Sequence, residues 1–435
     1  MDFKFIHAAD IHLGSPFRGI RDVSSEIGER LCNATFSAFD NIIDACIRHE
    51  VDFLLVAGDV FDAEDRSLMA QLHFRKGLSR LSRQNIACFV AHGNHDPLSG
   101  WSATLEWPEL VHIFREIPES IPVIKNGETI AHVTGMSYPT SDIRENLSLR
   151  FLRPEDSPFS IGLLHANVGR DTGHEPYAPC TLDDLEKSGM DYWALGHVHK
   201  RSILKEQNPA IVYPGNTQGL HINETGEKGC SLVNVSNNKI EKTTFLPAHE
   251  IQWVSLCGDN AVDISDLETD DDLYNAVYAA VDSVEKETKG RSCIIRMELK
   301  GRGRIHSSLI RESYLSDMVE ALRNEHAAAS PFKWVERIEN HTKAYIDRDE
   351  RKKGEDFVAE LIRMCDDIRQ SPDLLSQASH ESLDELFQKE SSLPDRIQFP
   401  DDQEIDSIID DAESLLLDLL RSEERRVGKE CVSEC

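Results

Sequence analysis

The sequence lacks three features that would each assign it to a class of protein. No apolar run approaches the length of a membrane-spanning helix. The ten cysteines include no CxxC pair, which favours free thiols in a reducing cytoplasm over disulfides or a zinc knot. No P-loop is present, so any ATP dependence would have to come from a partner. The start "MDFKFIHAAD" is unlike a signal peptide, and we expect a cytoplasmic protein without membrane association.

Basic residues are also scarce, because 47 Lys and Arg face 77 Asp and Glu, which gives a formal net charge of -30. Nucleic-acid-binding proteins usually carry a basic surface, so such a function would need a local basic track. Two groups could form one, although solvated helix faces are routinely charged as well. They are Arg66, Arg75, Lys76, Arg80 and Arg83, and then Lys200, Arg201 and Lys205.

Residues 1–250 alternate short apolar segments with helical patterns. Five segments read as strands that end in polar residues: "FKFIHAADIH", "VDFLLVAGD", "IACFVAHGN", "FSIGLLHAN" and "YWALGHVH". The helical pattern "LCNATFSAFDNIIDACIRHE" lies between the first two of them. This alternation predicts an α/β layered fold, in which functional sites collect at the carboxyl ends of strands.

The rest of the chain divides into three parts. Residues 251–345 predict a small βαβαβ domain, in which one helix opens at Thr269 with Asp272 placed to complete a capping box. Residues 346–420 predict acidic helices separated by prolines. Residues 421–435 are abruptly basic and have no apolar periodicity, so we interpret them as a non-native tail.

The acidic helices carry apolar stripes that must be buried somewhere. One stripe is Phe357, Leu361, Cys365 and Ile368, and the other is Ile405, Ile408, Ile409, Ala412 and Leu416. The stripes could pack on their own domain, or they could enter a groove on a partner's coiled coil. Prolines at positions 372, 394 and 400 separate the helices, which favours a flexible tether that reaches a partner.

Polar side chains recur at the strand ends of residues 1–250. "AADIHLG" and "ALGHVHK" each place two polar side chains two residues apart, so that both members face the same way. "LLVAGDVFD", "CFVAHGNHD" and "GLLHANVG" each place one such group directly after a buried strand. The resulting set is Asp10, His12, Asp59, Asn94, His165, His197 and His199.

These residue types predict a metal site. Mixed oxygen and imidazole ligands suit Mn²⁺, Fe²⁺ or Zn²⁺, and seven ligands suit two ions better than one. Two such ions can clamp the attacking and leaving oxygens of a phosphoryl displacement. His95 follows a ligand directly and should point toward the substrate, where it could protonate the leaving oxygen. We predict that Asp96 orients His95, and that His92 serves in packing.

The order DxH, GDxF, GNHD, H and GHxH resembles the calcineurin-like metallophosphoesterase superfamily over residues 1 to about 220. The resemblance implies a four-layer αββα sandwich in which Asp59 bridges two metal ions. Asp10, His12 and His199 would complete one metal site. Asn94, His165 and His197 would complete the other.

Within that superfamily the sequence resembles DNA-repair nuclease subunits of the SbcD and YhaO type. It shares their "GDxFD" pattern, and residues 212–230 are similar to their "YPGN…E.G.KG" segment. Residues 251–345 match the position of the cap that these nucleases place over the active site. Asp62 stands where archaeal and eukaryotic relatives carry a functional histidine.

The resemblance implies a DNA nuclease that works in DNA repair. We expect it to act as an exonuclease and to use Mn²⁺, with Fe²⁺ or Zn²⁺ as alternatives. An SMC-like ATPase would bind the C-terminal helices, and a homodimer is a further expectation. Two alternatives stay open: a phosphomonoesterase or cyclic-nucleotide phosphodiesterase on the same metal core, and a DNA-binding adaptor without catalysis.

Overall fold

A computed structural model describes residues 2–15, 25–62, 67–101, 103, 105–169, 175–311, 313–326, 329–371, 373–377, 404–405, 408–417 and 419–420. Arg66, the three prolines at 372, 394 and 400, and the tail 421–435 lie outside these residues. In the described part of the chain, no helix combines the length and the apolar character needed to cross a membrane. The eight cysteines described there are all free thiols.

The elements of residues 2–169 are β1 (Phe3–Ala8), α1 (Ser25–Arg48), β2 (Phe53–Ala57), α2 (Leu68–Ser82), β3 (Ala87–Ala91), β4 (Val111–Ile113), β5 (Glu119–Lys125), β6 (Glu128–Gly135) and β7 (Ser160–His165). Those of residues 175–260 are α3 (Leu182–Lys187), β8 (Tyr192–Gly196), β9 (Ser202–Lys205), β10 (Ala210–Tyr213), β11 (Gly229–Ser236), β12 (Lys239–Pro247) and β13 (Ile251–Leu256). Those of residues 261–371 are β14 (Val262–Asp263), α4 (Asp270–Thr288), β15 (Ser292–Lys300), β16 (Arg302–Gly303), α5 (His306–Leu309), α6 (Tyr314–His326), β17 (Lys333–Asn340), β18 (Lys343–Ala344), α7 (Arg348–Lys352) and α8 (Phe357–Gln370).

Two six-stranded sheets face each other in residues 2–247. One has the order β12-β11-β1-β2-β3-β4, and the other has the order β5-β6-β7-β8-β10-β9. The pairs β1–β2, β2–β3, β6–β7 and β7–β8 are parallel, so their carboxyl ends lie at the same edge of each sheet. The five strands predicted from the sequence are β1, β2, β3, β7 and β8 of these sheets.

Strand β2 shows why its sequence is apolar throughout. Phe53 and Leu55 enter the core between the two sheets, which also contains Ile161 and Tyr192 of the second sheet. Leu54 and Val56 face the opposite way, into a core formed with helices α1 and α2. A strand buried on both faces has no position for polar side chains until it ends. The predicted four-layer αββα sandwich is confirmed.

The chain forms two compact units that are discontinuous in sequence. Unit 1 comprises residues 1–260, 278–297 and 319–338, and unit 2 comprises residues 261–277, 298–318 and 339–435. Residues 251–340 follow the predicted order β13-α4-β15-α6-β17. In unit 2 the capping box is confirmed, because Asp272 N donates to Thr269 Oγ1 and Thr269 N donates to Asp272 Oδ2. The predicted domain boundaries stay predictions.

Within unit 2 the apolar stripes pack against each other. Helix α8 buries Val358, Leu361, Ile362 and Cys365 in a core with Leu417, and Ile409 packs against it. The predicted register is wrong at Phe357, whose side chain is 66% exposed, because the buried stripe begins one residue later. Ion pairs support this packing, since the Glu413 carboxylate accepts hydrogen bonds from Arg348 and forms an ion pair with Arg369. Local packing therefore buries one face of helix α8 and one face of the helical segment 408–417.

Candidate metal centre

The strand ends of both sheets bring the predicted polar residues together in unit 1. Asp10, His12 and Asp59 each adopt a positive φ, of 50°, 46° and 50°, directly beyond β1 and β2. Such conformations are uncommon for residues other than glycine, and they collect at functional sites. Backbone hydrogen bonds hold them, because Asp10 N donates to Gly58 O and His12 N donates to Asp59 O. The turn beyond each strand therefore aims its side chains across the gap between the sheets.

Two glycines permit the close approach of these turns. A Cβ on Gly93 would lie 2.3 Å from Asp59 Oδ1 and 2.8 Å from the His165 ring. A Cβ on Gly196 would lie 1.8 Å from the carbonyl oxygen of Ala57. Neither contact can be relieved without moving backbone or a candidate ligand, so both positions require glycine.

One cluster comprises Asp10, His12 and His199, whose ligand atoms lie within 4.8 Å of one another. His12 Nε2 is 3.3 Å from His199 Nε2 and 4.0 Å from Asp59 Oδ2. The two imidazole nitrogens are close enough for both lone pairs to bind one cation, with Asp10 and Asp59 supplying negative charge beside them. This donor set fits a borderline divalent ion.

A second cluster comprises Asp10, Asp59 and His165 and so shares Asp10 with the first. Asp59 of this cluster also lies 4.0 Å from His12 of the first. His165 Nε2 is 3.3 Å from Asp59 Oδ2 and 3.0 Å from Asn94 Oδ1, and its Nδ1 lies 2.9 Å from the carbonyl oxygen of Ala57. Because a carbonyl can only accept, Nδ1 carries a proton and Nε2 is left to act as a ligand. The amide oxygen of Asn94 therefore lies where it could bind the same ion as His165 Nε2, which is the role that the sequence predicts for it.

His197 enters the cluster differently from the other predicted ligands. Its ring centroid is 5.2 Å from that of His165, and its backbone N donates to Asp10 Oδ1 at 3.0 Å. Its Nε2 lies 2.8 Å from the carbonyl oxygen of Glu175. The structure therefore brings all seven predicted ligands to one place. His197 is not among the three-residue groups of acidic and histidine ligands formed by the described residues.

Burial shapes the electrostatics of the centre. It raises the pKa of Asp10 to about 6 and lowers the pKa of His12 to about 4. For His165, burial opposes protonation, but the Asp59 carboxylate outweighs it and raises the pKa to about 9. For Asp59, burial likewise opposes ionisation, but His165 outweighs it and holds the pKa well below its usual range. Buried carboxylates among imidazoles need positive charge, which divalent ions would supply.

His95 lies beside the clusters and is paired with Asp62. The Asp62 carboxylate is 3.5 Å from His95 Nδ1 and raises the pKa of this histidine to about 9. Ser15 Oγ donates to the other oxygen of Asp62 at 3.0 Å. The His95 side chain is 43% exposed, whereas the predicted ligands around it are mostly buried. An exposed imidazole held by a carboxylate is suited to donate a proton to a substrate.

The predicted pairing of Asp96 with His95 is wrong. Asp96 is fully buried and accepts hydrogen bonds from the backbone N of Gly93 and Val60, while its Oδ2 lies 2.8 Å from His92 Nδ1. The loop after β3 turns this carboxylate inward to satisfy backbone donors, so it cannot reach His95. Asp96 therefore shapes the loop, and His92 has a polar partner in addition to its packing role.

Sequence reasoning missed Glu224, which lies behind a predicted ligand. Its Oε1 accepts from His199 Nδ1, and its Oε2 accepts from Asn216 Nδ2 and Leu220 N. Burial would raise the pKa of Glu224, but His199 outweighs it and lowers this pKa to about 2. The only signal in the sequence was its place in the segment 212–230, since Glu224 follows no strand.

The basic track is only partly available. Arg80 forms ion pairs with Asp40 and Asp44 of helix α1, and Lys205 forms one with Glu186. The Arg201 guanidinium lies 5.2 Å from the centre of the Phe245 ring. These partners neutralise or occupy part of the predicted phosphate track.

Comparisons with known proteins agree with this site. A family model described as calcineurin-like phosphoesterase matches residues 3–201, and one described as metallophosphoesterase YhaO, middle domain, matches residues 259–343. The uncharacterized metallophosphoesterase YhaO of Bacillus subtilis is 42% identical over 342 residues, which cover 78% of this chain and 82% of that protein. The chain belongs to the YhaO family of calcineurin-like metallophosphoesterases. It is accordingly a metal-dependent phosphoesterase with a candidate centre for two divalent ions.

Relatives at lower identity include proteins named for DNA double-strand break repair. The DNA double-strand break repair protein Mre11 of Sulfolobus acidocaldarius is 25% identical over 334 residues, which cover 74% of this chain and 80% of that protein. The protein of the same name from Aeropyrum pernix is 29% identical over 243 residues, which cover 53% of this chain and 57% of that protein.

Proposed function

We propose that the chain hydrolyses phosphodiester bonds of DNA at a two-metal centre, as an exonuclease in DNA repair. The observation that carries this proposal is the pair of adjoining ligand clusters, with Asp10 in both, Asp59 between His165 and His12, and the exposed His95 beside them. The relatives named for DNA double-strand break repair support DNA as the substrate.

Asp10, His12, Asp59 and His199 would hold one ion, and Asp59, Asn94, His165 and His197 the other, with Mn²⁺ as the first candidate. Bound ions would supply an activated water and charge stabilisation for the displacement. The chain itself supplies the rest. Ala57 O fixes the His165 tautomer, and the backbone N of His95 donates to Asp59 Oδ1 at 2.9 Å, which restrains the shared carboxylate.

His95 completes the chemistry from the substrate side. Paired with Asp62, it is protonated near neutral pH and donates its proton to the departing alkoxide oxygen. Asp62 in turn is restrained by Ser15, so the imidazole is oriented before substrate arrives. This arrangement assigns to Asp62 the orienting role that the sequence had assigned to Asp96.

A paired assay tests the substrate. Mn²⁺-loaded protein should release nucleotides from the ends of short double-stranded DNA and should also cleave bis-p-nitrophenyl phosphate. It should be much slower on p-nitrophenyl phosphate, a monoester. Preference for the monoester or for a cyclic nucleotide over DNA would contradict the proposal, and DNA binding without cleavage would indicate the adaptor alternative.

We also propose that the C-terminal helices of unit 2 bind the coiled coil of an SMC-like ATPase. The homodimer stays a prediction. The local core leaves a second apolar face exposed, because Ile408 is 46% and Leu415 57% exposed. Leu416, Leu419 and Met364 are exposed as well. An amphipathic helix that retains such a face can lie in a groove on a partner helix pair.

Charge on that face should abolish partner binding without affecting hydrolysis. We expect Ile408→Glu with Leu415→Glu to lose co-purification with the ATPase, because two carboxylates cannot be buried unpaired in an apolar groove. The matched control is Ile124→Glu, since Ile124 of β5 is also an exposed isoleucine. Pull-down of the double variant at the wild-type level would rule out this surface.

A further inference from the structure

Glu224 is a buried carboxylate without a role in the metal centre described above. Its side chain is 7% exposed, and it is held from three sides in unit 1. Oε1 accepts from His199 Nδ1, while Oε2 accepts from Asn216 Nδ2 at 2.9 Å and from Leu220 N at 2.7 Å. Both of its oxygens are therefore committed as acceptors.

This arrangement decides which nitrogen of His199 can bind a metal. Since Glu224 can only accept from Nδ1, the proton stays on Nδ1 and the lone pair stays on Nε2, which faces His12 Nε2 at 3.3 Å. Carboxylates behind metal-ligating histidines commonly fix the tautomer and raise ligand basicity in this way. Without the acceptor, either tautomer of His199 would be available.

The residues around Glu224 are tied to strand β13. Gln218 donates from Nε2 to Ile251 O at 2.7 Å, and its Oε1 accepts from Glu250 N at 3.0 Å and Ile251 N at 3.2 Å. Trp253 Nε1 donates to Gly219 O at 3.1 Å, and Gly226 N donates to Trp253 O. Residues 216–226, which we call the strap, thus connect β13 to His199.

The strap also packs into an apolar core. Leu220 and Ile222 lie against a cluster that contains Ile251 and Trp253 of β13, together with Ile27 and Leu31 of helix α1. Movement of β13 would therefore move the strap, because both hydrogen bonds and apolar contacts join them. All of these residues belong to unit 1.

We propose that Glu224 is a positioning residue for the metal centre and that the strap transmits the position of β13 to the metal affinity of His199. This inference rests on the proposed function, in which His199 is a metal ligand. Glu224 itself touches neither ions nor substrate. Its effect passes through the tautomer and orientation of His199.

Glu224→Gln tests the first half of the proposal. The amide must keep its oxygen toward Asn216 and Leu220, so its NH₂ group faces His199 Nδ1 and drives the proton to Nε2. We expect the dissociation constant for Mn²⁺, measured by isothermal titration calorimetry, to rise by about 10- to 100-fold. At saturating Mn²⁺ the kcat on bis-p-nitrophenyl phosphate should recover, which a folding defect would not permit. Glu227→Gln, a neighbouring carboxylate paired with Lys289, should bind Mn²⁺ like the wild type.

Gln218→Met tests the second half, since it removes the three hydrogen bonds from the Gln218 side chain to Glu250 and Ile251 and leaves every proposed ligand in place. We expect Mn²⁺ affinity to fall by about 2- to 30-fold, which corresponds to a coupling free energy of about 0.5–2 kcal/mol. Circular dichroism should match the wild type for each variant, which would show that each is folded.

His199→Ala separates failure of this inference from failure of the proposed function. If His199→Ala loses one Mn²⁺ site while Glu224→Gln binds like the wild type, Glu224 is not a positioning residue. If Glu224→Gln weakens binding while Gln218→Met does not, the strap does not transmit. If His199→Ala keeps both ions at wild-type affinity, both the ligand assignment and this inference are overturned.

Discussion

Asp59→Asn should reduce hydrolysis of bis-p-nitrophenyl phosphate to near the background rate. Asp59 lies between a histidine of each cluster, with Oδ2 at 3.3 Å from His165 Nε2 and 4.0 Å from His12 Nε2. An asparagine at this position removes the charge that would serve two ions and places NH₂ donors where ligands are needed. A loss of about 4 kcal/mol of transition-state stabilisation corresponds to about 10³-fold in kcat. Steady-state kinetics with excess Mn²⁺ would measure it.

The control for this variant lies at the other end of the same strand, β2. Asp52 precedes β2 at its opposite end, where its carboxylate accepts from Lys4 N at 2.9 Å and pairs with Lys125. Asp52→Asn should keep the wild-type kcat, because it alters a carboxylate of β2 away from the centre. Turnover by Asp59→Asn within tenfold of the wild type would refute a shared ligand.

His95→Ala should lower kcat by about 10²- to 10⁴-fold and leave metal content unchanged. The imidazole is an exposed group paired with Asp62, and its ring lies 4.9 Å from that of His12. Removing it takes away the proton donor for the leaving oxygen. Kinetics on bis-p-nitrophenyl phosphate and metal analysis of the purified variant would be read together.

Two further substitutions sharpen the assignment of His95. Asp62→Asn should reproduce part of the loss, because it removes the carboxylate that orients the imidazole. His112→Ala alters a histidine paired with Glu119 away from the centre and should have no effect. Loss of bound metal from His95→Ala would contradict the division between ligands and acid.

The residue pattern predicted the α/β layers and grouped the seven candidate ligands for the same reason, whereas the four-layer sandwich followed from the family resemblance. Strands such as β2 are buried on both faces and are therefore apolar throughout. A polar residue directly after such a strand departs from this pattern and indicates a functional site. The carboxyl ends of parallel strands also lie together, which allowed Asp10, Asp59 and His165 to be grouped without coordinates.

Side-chain partners were less predictable than positions. Asp96 is next to His95 in sequence, yet the loop after β3 turns it toward the backbone of Gly93 and Val60. Asp62, distant in sequence, is brought to His95 by the turn after β2. Such choices depend on loop geometry, for which the residue pattern carries no signal.

The same limit applies to residues that reach the site from irregular segments. Glu224 lies in a short 3₁₀ turn, so neither strand alternation nor helical periodicity marks it. In helix α8 the stripe was predicted correctly at Leu361 and Cys365 but wrongly at its first member, because Phe357 and Val358 are both apolar and only packing distinguishes them. Periodicity identifies a face, whereas contacts determine its register.

The most direct test of the account is the location of bound metal. A crystal grown with Mn²⁺ and measured for anomalous scattering should show two peaks roughly 3.5–4 Å apart. One peak should lie among Asp10, His12 and His199, the other among Asn94, His165 and His197, with Asp59 between them. A single peak, or two peaks that do not share Asp59, would contradict the two-metal centre.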